Sequence, residues 1–431
     1  MEIQPTPAVP VWARDDSFPE APSGWGWVDL KGRRYTCDSL GALTAAIRDD
    51  RDGSVTLVWA PGHARMILPE ELSGVGDALR TARERWTRED LESATYKLRW
   101  FSVILGGFSA YVFFGAWVLA GRLALERAVD VGLVERIGFA FRAVLASTHV
   151  GLALLMFVIF GFIPWYQARK RRAELGQWTE AGILEAVPAI RFETWLDWQK
   201  PPLTRVFLGV VALVALAQIF SGVRTHGWGS LFAIFQVWGG IGEAGLVKER
   251  YFQGEWWRLF TAPFLHGNLL HFLMNAAALA YLGKRLGVFA RWPHLPVVFL
   301  FSACIGGEAS ARFIAAPTVG ASGGLMGWLG FLLVFETLHT SLVPRTARRR
   351  LMAGVALTAL IGLIGFRYID NAAHAGGLFA GMLYAAIVFP KSTSVVRPRS
   401  TAADRVAGLA ALAVLIAAAA MAIFKILLPE G

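Results

Sequence analysis

The uncharged stretch FIAAPTVGASGGLMGWLGFLLVF, residues 313–335, decides the fold. A helix needs roughly 20 apolar residues to cross a bilayer, and this stretch is long enough. It carries a serine, Ser322, among small residues that would let a helix approach its neighbour closely. The stretch therefore predicts a membrane helix with one chemically useful hydroxyl near its start.

The composition of the whole chain indicates a soluble part followed by a membrane part. Of the 431 residues, 55% are apolar and 17% are charged, whereas soluble domains carry about 25% charged residues. Residues 1–99 hold 13 Lys/Arg against 16 Asp/Glu, and residues 100–431 hold 29 against 16. The distribution argues against a single soluble enzyme and predicts a membrane protein from about residue 100.

Nine uncharged runs are candidates for membrane spans. They are Phe101–Gly121, Ala143–Ala168, Val206–Val223, Leu259–Gly283, Trp292–Gly307, Phe313–Phe335, Leu351–Phe366, Asn371–Pro390 and Val406–Phe424. If every run crosses, the strongly basic loops fall on one side, which the positive-inside rule makes cytoplasmic. This charge pattern explains the net charge of +10 without a nucleic-acid partner. We expect a cytoplasmic N-terminus without a cleavable signal peptide, an outside C-terminus, and a bacterial inner membrane.

The N-terminal part alternates weakly between apolar and polar residues, as small strands do. GWGWVDL (24–30) and DGSVTLVWA (52–60) predict strands, with a helix over 39–50 that Ser39 caps. The pieces TLVW and ILPEEL faintly resemble a GYF-like adaptor module, which implies a cytoplasmic protein partner. The alternative is a small α+β cap without a ligand. A charged helix over 76–99 would lead into the membrane.

Three polar clusters interrupt the apolar runs, and polar groups inside a membrane normally face the interior of a helix bundle. In HGNLLHFLMN, placed on one helix from His266 onward, His271 and Asn275 share a face. They predict either a polar pocket or hydrogen bonds that hold neighbouring helices together.

The other two clusters supply a serine and a histidine on different helices. GASGGLMG places Ser322 at a helix start, and IDNAAHAGGLFAG places His374 before a Gly-x3-Gly step of Gly377 and Gly381. A serine hydroxyl needs an adjacent base, and histidine has a suitable pKa. Because no Asp or Glu lies inside the runs, the residues favour a Ser-His dyad; the alternatives are a close-packing seam and a structural histidine. No cofactor or metal site is expected.

With the segment EWWRLF (255–260), these motifs resemble the rhomboid family of intramembrane serine proteases. The resemblance covers about residues 203–390, six of the nine runs, and all four motifs occur in the family's order. It implies a six-helix core within an all-α polytopic membrane protein. The predicted domains are 1–99 (soluble α+β domain and lead-in helix), 100–168 (two extra spans), 169–202 (cytoplasmic linker), 203–390 (protease core) and 391–431 (linker and C-terminal span).

The resemblance also assigns roles to individual residues. Ser322 would be the nucleophile and His374 the general base, while His271, Asn275 and the Ser322 N–H would hold an oxyanion. The remaining motif residues would have structural roles around these groups: His266 beside them, Trp257 and Arg258 in the outer loop, Gly320 in the turn before the serine, and Gly323, Gly377 and Gly381 in the helices.

One residue departs from the family pattern. Met326 stands where rhomboids commonly carry an aromatic that packs on the base histidine, so His374 would be held less rigidly. The family's substrates are transmembrane helices cut near the outer membrane face, so the expected partners are such substrates and the lipid bilayer. Two other functions stay open: a catalytically silent scaffold of the same fold, and a transporter or channel.

Overall fold

The computed structural model describes residues 9–50, 53–126, 131–176, 180–226, 239–366 and 368–428. The protein is helical, with one small sheet near its N-terminus. Its helices are α1 Leu40–Asp49, α2 Gly76–Glu126, α3 Leu133–Ala146, α4 Thr148–Met156, α5 Ile163–Gly176, α6 Glu180–Trp198, α7 Pro202–His226, α8 Ile241–Ala244, α9 Lys248–Phe252, α10 Arg258–Thr261, α11 Leu269–Phe289, α12 His294–Phe313, α13 Ser322–Leu338, α14 Arg345–Ile364, α15 Asn371–Val388 and α16 Ala402–Leu427. The prediction of an all-α polytopic protein with a small α+β domain is confirmed.

The small domain is built on an antiparallel sheet of β1 Trp25–Val28, β2 Arg34–Cys37 and β3 Leu57–Trp59, in the order β2-β1-β3. Two of these strands and α1 were predicted, and the Ser39 side chain caps α1 by accepting a hydrogen bond from the Ala42 N–H at 3.2 Å. The sequence analysis missed β2, because its side chains are largely exposed and show no apolar alternation.

Contacts divide the chain into two compact units. One contains Asp15–Ile190 and Leu357–Ile369, and the other contains Met1–Arg14, Arg191–Ala356 and Asp370–Gly431. In the first unit, α2 is one continuous helix of 51 residues that starts at the small domain and includes the first apolar run. Residue 99, where we predict the first domain to end, therefore lies inside a helix.

The second apolar run differs from its prediction as a single span. A break at Ser147 separates α3 from α4, because the Ser147 side chain accepts a hydrogen bond from the Val150 N–H and starts a new helix there. The apolar stretch then continues from His149 to Gly176, through a π-helical turn at Phe157–Phe162. The span therefore begins about six residues later than the uncharged run.

Six helices of the described residues are long and apolar enough to cross a membrane: Gly76–Glu126, His149–Gly176, Pro202–Thr225, His294–Phe313, Asn371–Val388 and Ala402–Leu427. Helices α11, α13 and α14 cover the three remaining runs. Of these, α13 has 17 residues. Helix α14 starts with four arginines, and α11 contains Lys284 and Arg285. Arg285 is fully buried and pairs with buried Glu336 of α13, with Nη2 2.8 Å from Oε2.

Residues 169–202, predicted as a linker, are largely helical. Helix α5 continues to Gly176, and α6 occupies Glu180–Trp198. The part of α6 in the second unit buries Phe192 and Trp195, and Phe192 stacks on Phe289 of α11 at 5.9 Å. These aromatic side chains are the reason that the segment packs as a helix.

The core of the second unit is formed by α12, α13 and α15, which touch through glycines. A Cβ added to Gly377 would lie 2.0 Å from the Gly323 carbonyl oxygen, and one added to Gly381 would lie 1.9 Å from the Gly327 carbonyl oxygen. The Gly-x3-Gly step on α15 thus faces the backbone of α13, as its spacing predicts. Gly306 of α12 meets the Ala373 carbonyl in the same way, at 2.6 Å.

Candidate active site

Ser322 is the first residue of α13, and the segment before it is held from two sides. Thr318 forms a two-way backbone bridge with Leu246, and the Gly320 N–H donates to the Ala262 carbonyl at 3.0 Å. Gly320 has φ +123°, a conformation that side chains rarely adopt. The chain thereby turns sharply into α13, and the Ser322 N–H belongs to the first-turn donors that have no acceptor within the helix.

His374 lies one turn into α15, beside the start of α13. The Ala373 carbonyl is 3.7 Å from the position of a Cβ on Gly323, so the residues next to Ser322 and His374 touch. Both side chains are half-buried. Among the described residues, no hydrogen bond joins the Ser322 hydroxyl to the His374 ring. Such bonds are often long before substrate binds, so the geometry brings the two groups to one place without pairing them.

His271 and Asn275 point from one face of α11 at the backbone just before Ser322. A Cβ on Gly320 would lie 2.8 Å from His271 Nε2 and 3.4 Å from Asn275 Nδ2. Asn275 is 6% exposed, and its Nδ2 has no hydrogen-bond partner among the described residues. A buried amide donor without an acceptor is costly, so it is suited to bind an oxygen that arrives with a ligand. His374 is also close enough to His271 for their charges to interact.

His266 does not lie on the same helix as His271, so placing the whole cluster on one helix was wrong. Helix α11 starts at Leu269, because the Asn268 side chain accepts a hydrogen bond from the His271 N–H at 2.8 Å and caps it. His266 sits before this cap, fully buried, with its ring edge-on to His271 at 5.2 Å.

Gln218 of α7 fixes the backbone of His266 and was missed in the sequence. Its side chain accepts from the His266 N–H at 2.8 Å and donates to the His266 carbonyl at 3.0 Å. Gln218 is fully buried in an otherwise apolar helix. A lone amide in the run Val206–Val223 was the available signal, since a polar residue in a span normally has a bonding partner.

A buried polar network ties the start of α15 to α12 and to the segment before Ser322. The Asp370 carboxylate caps α15 by accepting from the Ala373 N–H at 2.8 Å, and its other oxygen accepts from the hydroxyls of Ser310 and Thr318. The Lys248 ammonium donates to the Thr318 hydroxyl and, at 2.7 Å, to the Ala316 carbonyl. Burial lowers the pKa of Lys248 to about 8, although Asp370 opposes this shift.

This network was also missed, although Asp370 directly precedes the run Asn371–Pro390. The signal was the position of Asp370 four residues before His374, where an N-cap carboxylate fixes the helix that carries the histidine. It does not make Asp370 a third triad member, because its oxygens bond the helix start and two hydroxyls rather than the imidazole.

Trp257 and Arg258 hold the loop that precedes α11. Arg258 is 1% exposed, and its guanidinium donates to the carbonyls of Gly242 at 2.9 Å and Gly245 at 2.8 Å. It also lies over the Trp257 ring, 4.7 Å from the centroid. An Arg can satisfy several carbonyls at once because it has five donors. Residues 227–238, which precede this loop, lie outside the described residues.

Met326 lies on α13 four residues after Ser322 and is half-buried. Residues spaced by four share a helix face, so Met326 occupies the same side of α13 as Ser322.

The part of the chain that the structure describes contains no group of three His, Cys, Asp or Glu residues that could hold a metal ion.

Comparison with known proteins finds similarity to rhomboid proteins. The family model of the rhomboid domain matches residues 253–391. Rhomboid protease GluP of Bacillus subtilis (strain 168) is 29% identical over 194 residues, which cover 45% of this chain and 36% of that protein. RHOMBOID-like protein 7 of Arabidopsis thaliana is 33% identical over 128 residues, which cover 30% of this chain and 41% of that protein.

Inactive rhomboid protein 1 of Papio anubis is also similar, with 30% identity over 139 residues that cover 32% of this chain and 16% of that protein. The chain spans less than half the length of each of these relatives. The matched segment contains Ser322, His374, His271 and Asn275. Residues 253–391 of this chain are therefore a rhomboid domain.

Proposed function

We propose that the protein is an intramembrane serine endopeptidase that uses Ser322 as nucleophile and His374 as general base. The observation that supports the proposal is the close contact between the starts of α13 and α15, the two helices that carry Ser322 and His374. A binding scaffold would not need these two chemical groups at one place. The pairing is also what nucleophilic catalysis by serine requires.

In the proposed reaction, Ser322 Oγ attacks the carbonyl carbon of the scissile bond while the His374 imidazole takes its proton. The tetrahedral intermediate collapses when His374 returns that proton to the leaving amine, which departs with one half of the substrate. A water molecule then repeats the sequence on the ester, and His374 again takes and returns the proton. The products are a carboxylate and an amine, and Ser322 is regenerated.

The negative oxygen of each tetrahedral intermediate would lie in the space between Gly320 and α11. The Ser322 N–H, the Asn275 amide and His271 would donate to it there. Two features support this assignment: Asn275 Nδ2 is buried without an acceptor, and the glycine at 320 leaves room beside both side chains. Donors that are already in position lower the barrier because they need no reorganisation during the reaction.

We infer that the substrates are transmembrane helices cut near the outer membrane face. A helix satisfies its carbonyls with internal hydrogen bonds, so it must unwind locally before Ser322 can reach one. Glycine or proline near the top of the substrate span would ease this step, since both weaken a helix. The cytoplasmic N-terminus, the outside C-terminus and the bacterial inner membrane belong to the same proposal and rest on the basic loops.

Cleavage of a tagged single-span helix in membranes tests the proposal. The substrate carries a small residue and a helix breaker near its outer end. We expect the wild type to cut it, and Ser322→Ala and His374→Ala to lose cleavage. Ser394→Ala, which changes an exposed serine of the linker before α16, is the matched control and should cut like the wild type. Cleavage by Ser322→Ala would refute the assignment.

We also propose that the N-terminal domain recruits a cytoplasmic protein. Its sheet presents the stacked rings of Trp27 and Tyr35, with centroids 4.2 Å apart, and Tyr35 is 37% exposed. Deleting residues 15–75 removes the sheet, leaves α2 complete and keeps the N-terminal segment that belongs to the second unit. We expect the truncated protein to keep cleavage and to lose co-purifying cytoplasmic proteins; an unchanged set of bound proteins would refute the proposed recruitment.

A further inference from the structure

A cavity of about 790 Å³ lies in the second unit at the start of α12. It is lined by the residues that lead into α7, by the turn between α11 and α12, and by the segment between α15 and α16. Ser310, near the other end of α12, belongs to the network beside the candidate active site. Sixteen helical residues separate His294 from Ser310, about 24 Å at 1.5 Å per residue. The cavity is therefore separate from the active site.

The lining of this cavity is strongly basic. Five cationic side chains line it, and none of the described lining residues is Asp or Glu. The cations are Lys200, Arg291, Arg397, Arg399 and Arg405. The neighbouring carboxylate, Asp404, is used elsewhere, since it accepts two hydrogen bonds from Thr401 and lies 4.0 Å from the His294 ring. The positive charge of the cavity is therefore not compensated by its walls.

Two arginines are fixed in the cavity wall by backbone contacts. Arg397 Nη1 donates to the Val288 carbonyl at 3.0 Å, and Arg291 Nε donates to the Pro398 carbonyl at 3.3 Å. Within the described residues, the two guanidinium groups make no other hydrogen bonds, and each group has five donors. Most of their donors are thus left for a ligand. Burial, with Arg291 and Arg14 nearby, lowers the pKa of Arg397.

Arg291 is also held in an unfavourable backbone conformation. Its φ is +71°, in the left-handed region, which is unfavourable for a residue other than glycine. It is the one described non-glycine residue with positive φ. A glycine would adopt this conformation without strain, whereas the arginine contributes one hydrogen bond to the fold, to the Pro398 carbonyl. A ligand that binds the remaining guanidinium donors would be a further reason for an arginine at this position.

We propose that this cavity binds a phosphate-bearing anion. Planar guanidinium groups bind phosphate through paired hydrogen bonds, and several fixed arginines without carboxylates provide such a site. The phosphate has two possible sources: the headgroup of an acidic phospholipid or free phosphate. Trp292, which lines the cavity and is 39% exposed, is a residue type found at headgroup level. The inference does not depend on the proposed protease activity.

The test is a binding titration with the full-length protein in neutral detergent. The probes are phosphatidylglycerol, phosphatidylcholine and inorganic phosphate. Preference for phosphatidylglycerol over phosphatidylcholine without phosphate binding supports a lipid headgroup, and saturable phosphate binding supports free phosphate. If the wild type does not discriminate between the two lipids and does not bind phosphate, the proposal is wrong.

Three variants locate the binding site. Arg397→Gln should weaken binding about fivefold, which corresponds to about 1 kcal/mol per basic residue near an anionic surface. Arg291→Gly should weaken it similarly while raising or keeping the melting temperature, which separates loss of ligand from loss of fold. Arg349→Gln removes an exposed charge of α14 outside this cavity and should bind like the wild type. Equal losses in Arg397→Gln and Arg349→Gln would overturn the proposal, since they would indicate a general charge effect.

Discussion

Gly377→Ala should strongly reduce the proposed protease activity by pushing α15 away from α13. The added Cβ would lie 2.0 Å from the Gly323 carbonyl oxygen, whereas an ordinary contact begins at 3.4 Å. The neighbour is backbone and cannot rotate aside, so the helices must separate by roughly 1.4 Å at this point. Gly377 lies less than one turn after His374, and Gly323 directly follows Ser322. The two proposed catalytic groups would therefore separate as well.

A misplacement of about 1 Å can cost about 100-fold in rate, so we expect the kcat of Gly377→Ala to fall by about that factor. Overpacking costs about 1–3 kcal/mol of stability, which lowers the melting temperature without preventing folding. The assay is cleavage of the single-span substrate by purified protein in proteoliposomes, with thermal unfolding measured on the same sample.

The matched control is Gly209→Ala on α7, where an added Cβ meets no atom within 4 Å. This variant should keep both kcat and melting temperature, since alanine favours a helix more than glycine does. If Gly377→Ala is folded and cuts within threefold of the wild-type rate, the glycine contact does not set the distance between serine and histidine.

Three further predictions concern single residues. Asn275→Ala should lower kcat by about 10²–10³-fold with little change in KM, because an oxyanion donor acts in the transition state; steady-state kinetics measure both. Glu336→Gln should destabilise the protein by about 3–5 kcal/mol, because it leaves Arg285 buried without its charge partner; chemical unfolding measures this. The melting temperature of the wild type should rise between pH 8 and 10.5 relative to that of Lys248→Met. In that range the unfolded chain binds more protons at Lys248 than the folded protein, whose Lys248 has a pKa of about 8.

Each of these predictions has a contrary result. A raised KM with unchanged kcat in Asn275→Ala would place the amide in substrate binding instead of transition-state stabilisation. A wild-type free energy of unfolding in Glu336→Gln would mean that water reaches the Arg285 guanidinium. Parallel melting curves of the wild type and Lys248→Met across the pH range would mean that the Lys248 ammonium is hydrated.

Much of the fold could be predicted because each element has a local signal. The apolar runs indicated the membrane helices, and Ser39 before an apolar helical pattern correctly marked the start of α1. The Gly377 and Gly381 spacing predicted close packing, and the structure supplies α13 as its partner. Each of these signals lies within about ten residues of chain, so it can be recognised in the sequence without knowledge of the tertiary contacts.

The parts that could not be predicted depend on partners far along the chain. In the sequence, Gln218 is a polar residue in an apolar run. Its partner, the backbone of His266, lies 48 residues later in the chain, so the pairing is visible only in the structure. Ser310 and Thr318 reach Asp370 only when α12 and α15 converge, and Lys248 joins them through the Thr318 hydroxyl. The cap at Asn268 was a local signal, but the uncharged run masked it and moved the predicted helix start too early.

The most direct test of the proposed chemistry is covalent labelling of the purified wild type with a fluorophosphonate, read by intact mass and peptide mapping. The proposal predicts one adduct, on Ser322, that is absent in Ser322→Ala and forms at least 100-fold more slowly in His374→Ala, since a general base contributes about 10²–10⁴-fold. Asn275→Ala is the folded comparison and should retain measurable labelling. A wild type that takes no adduct, or an adduct that persists in Ser322→Ala, would contradict the proposed dyad.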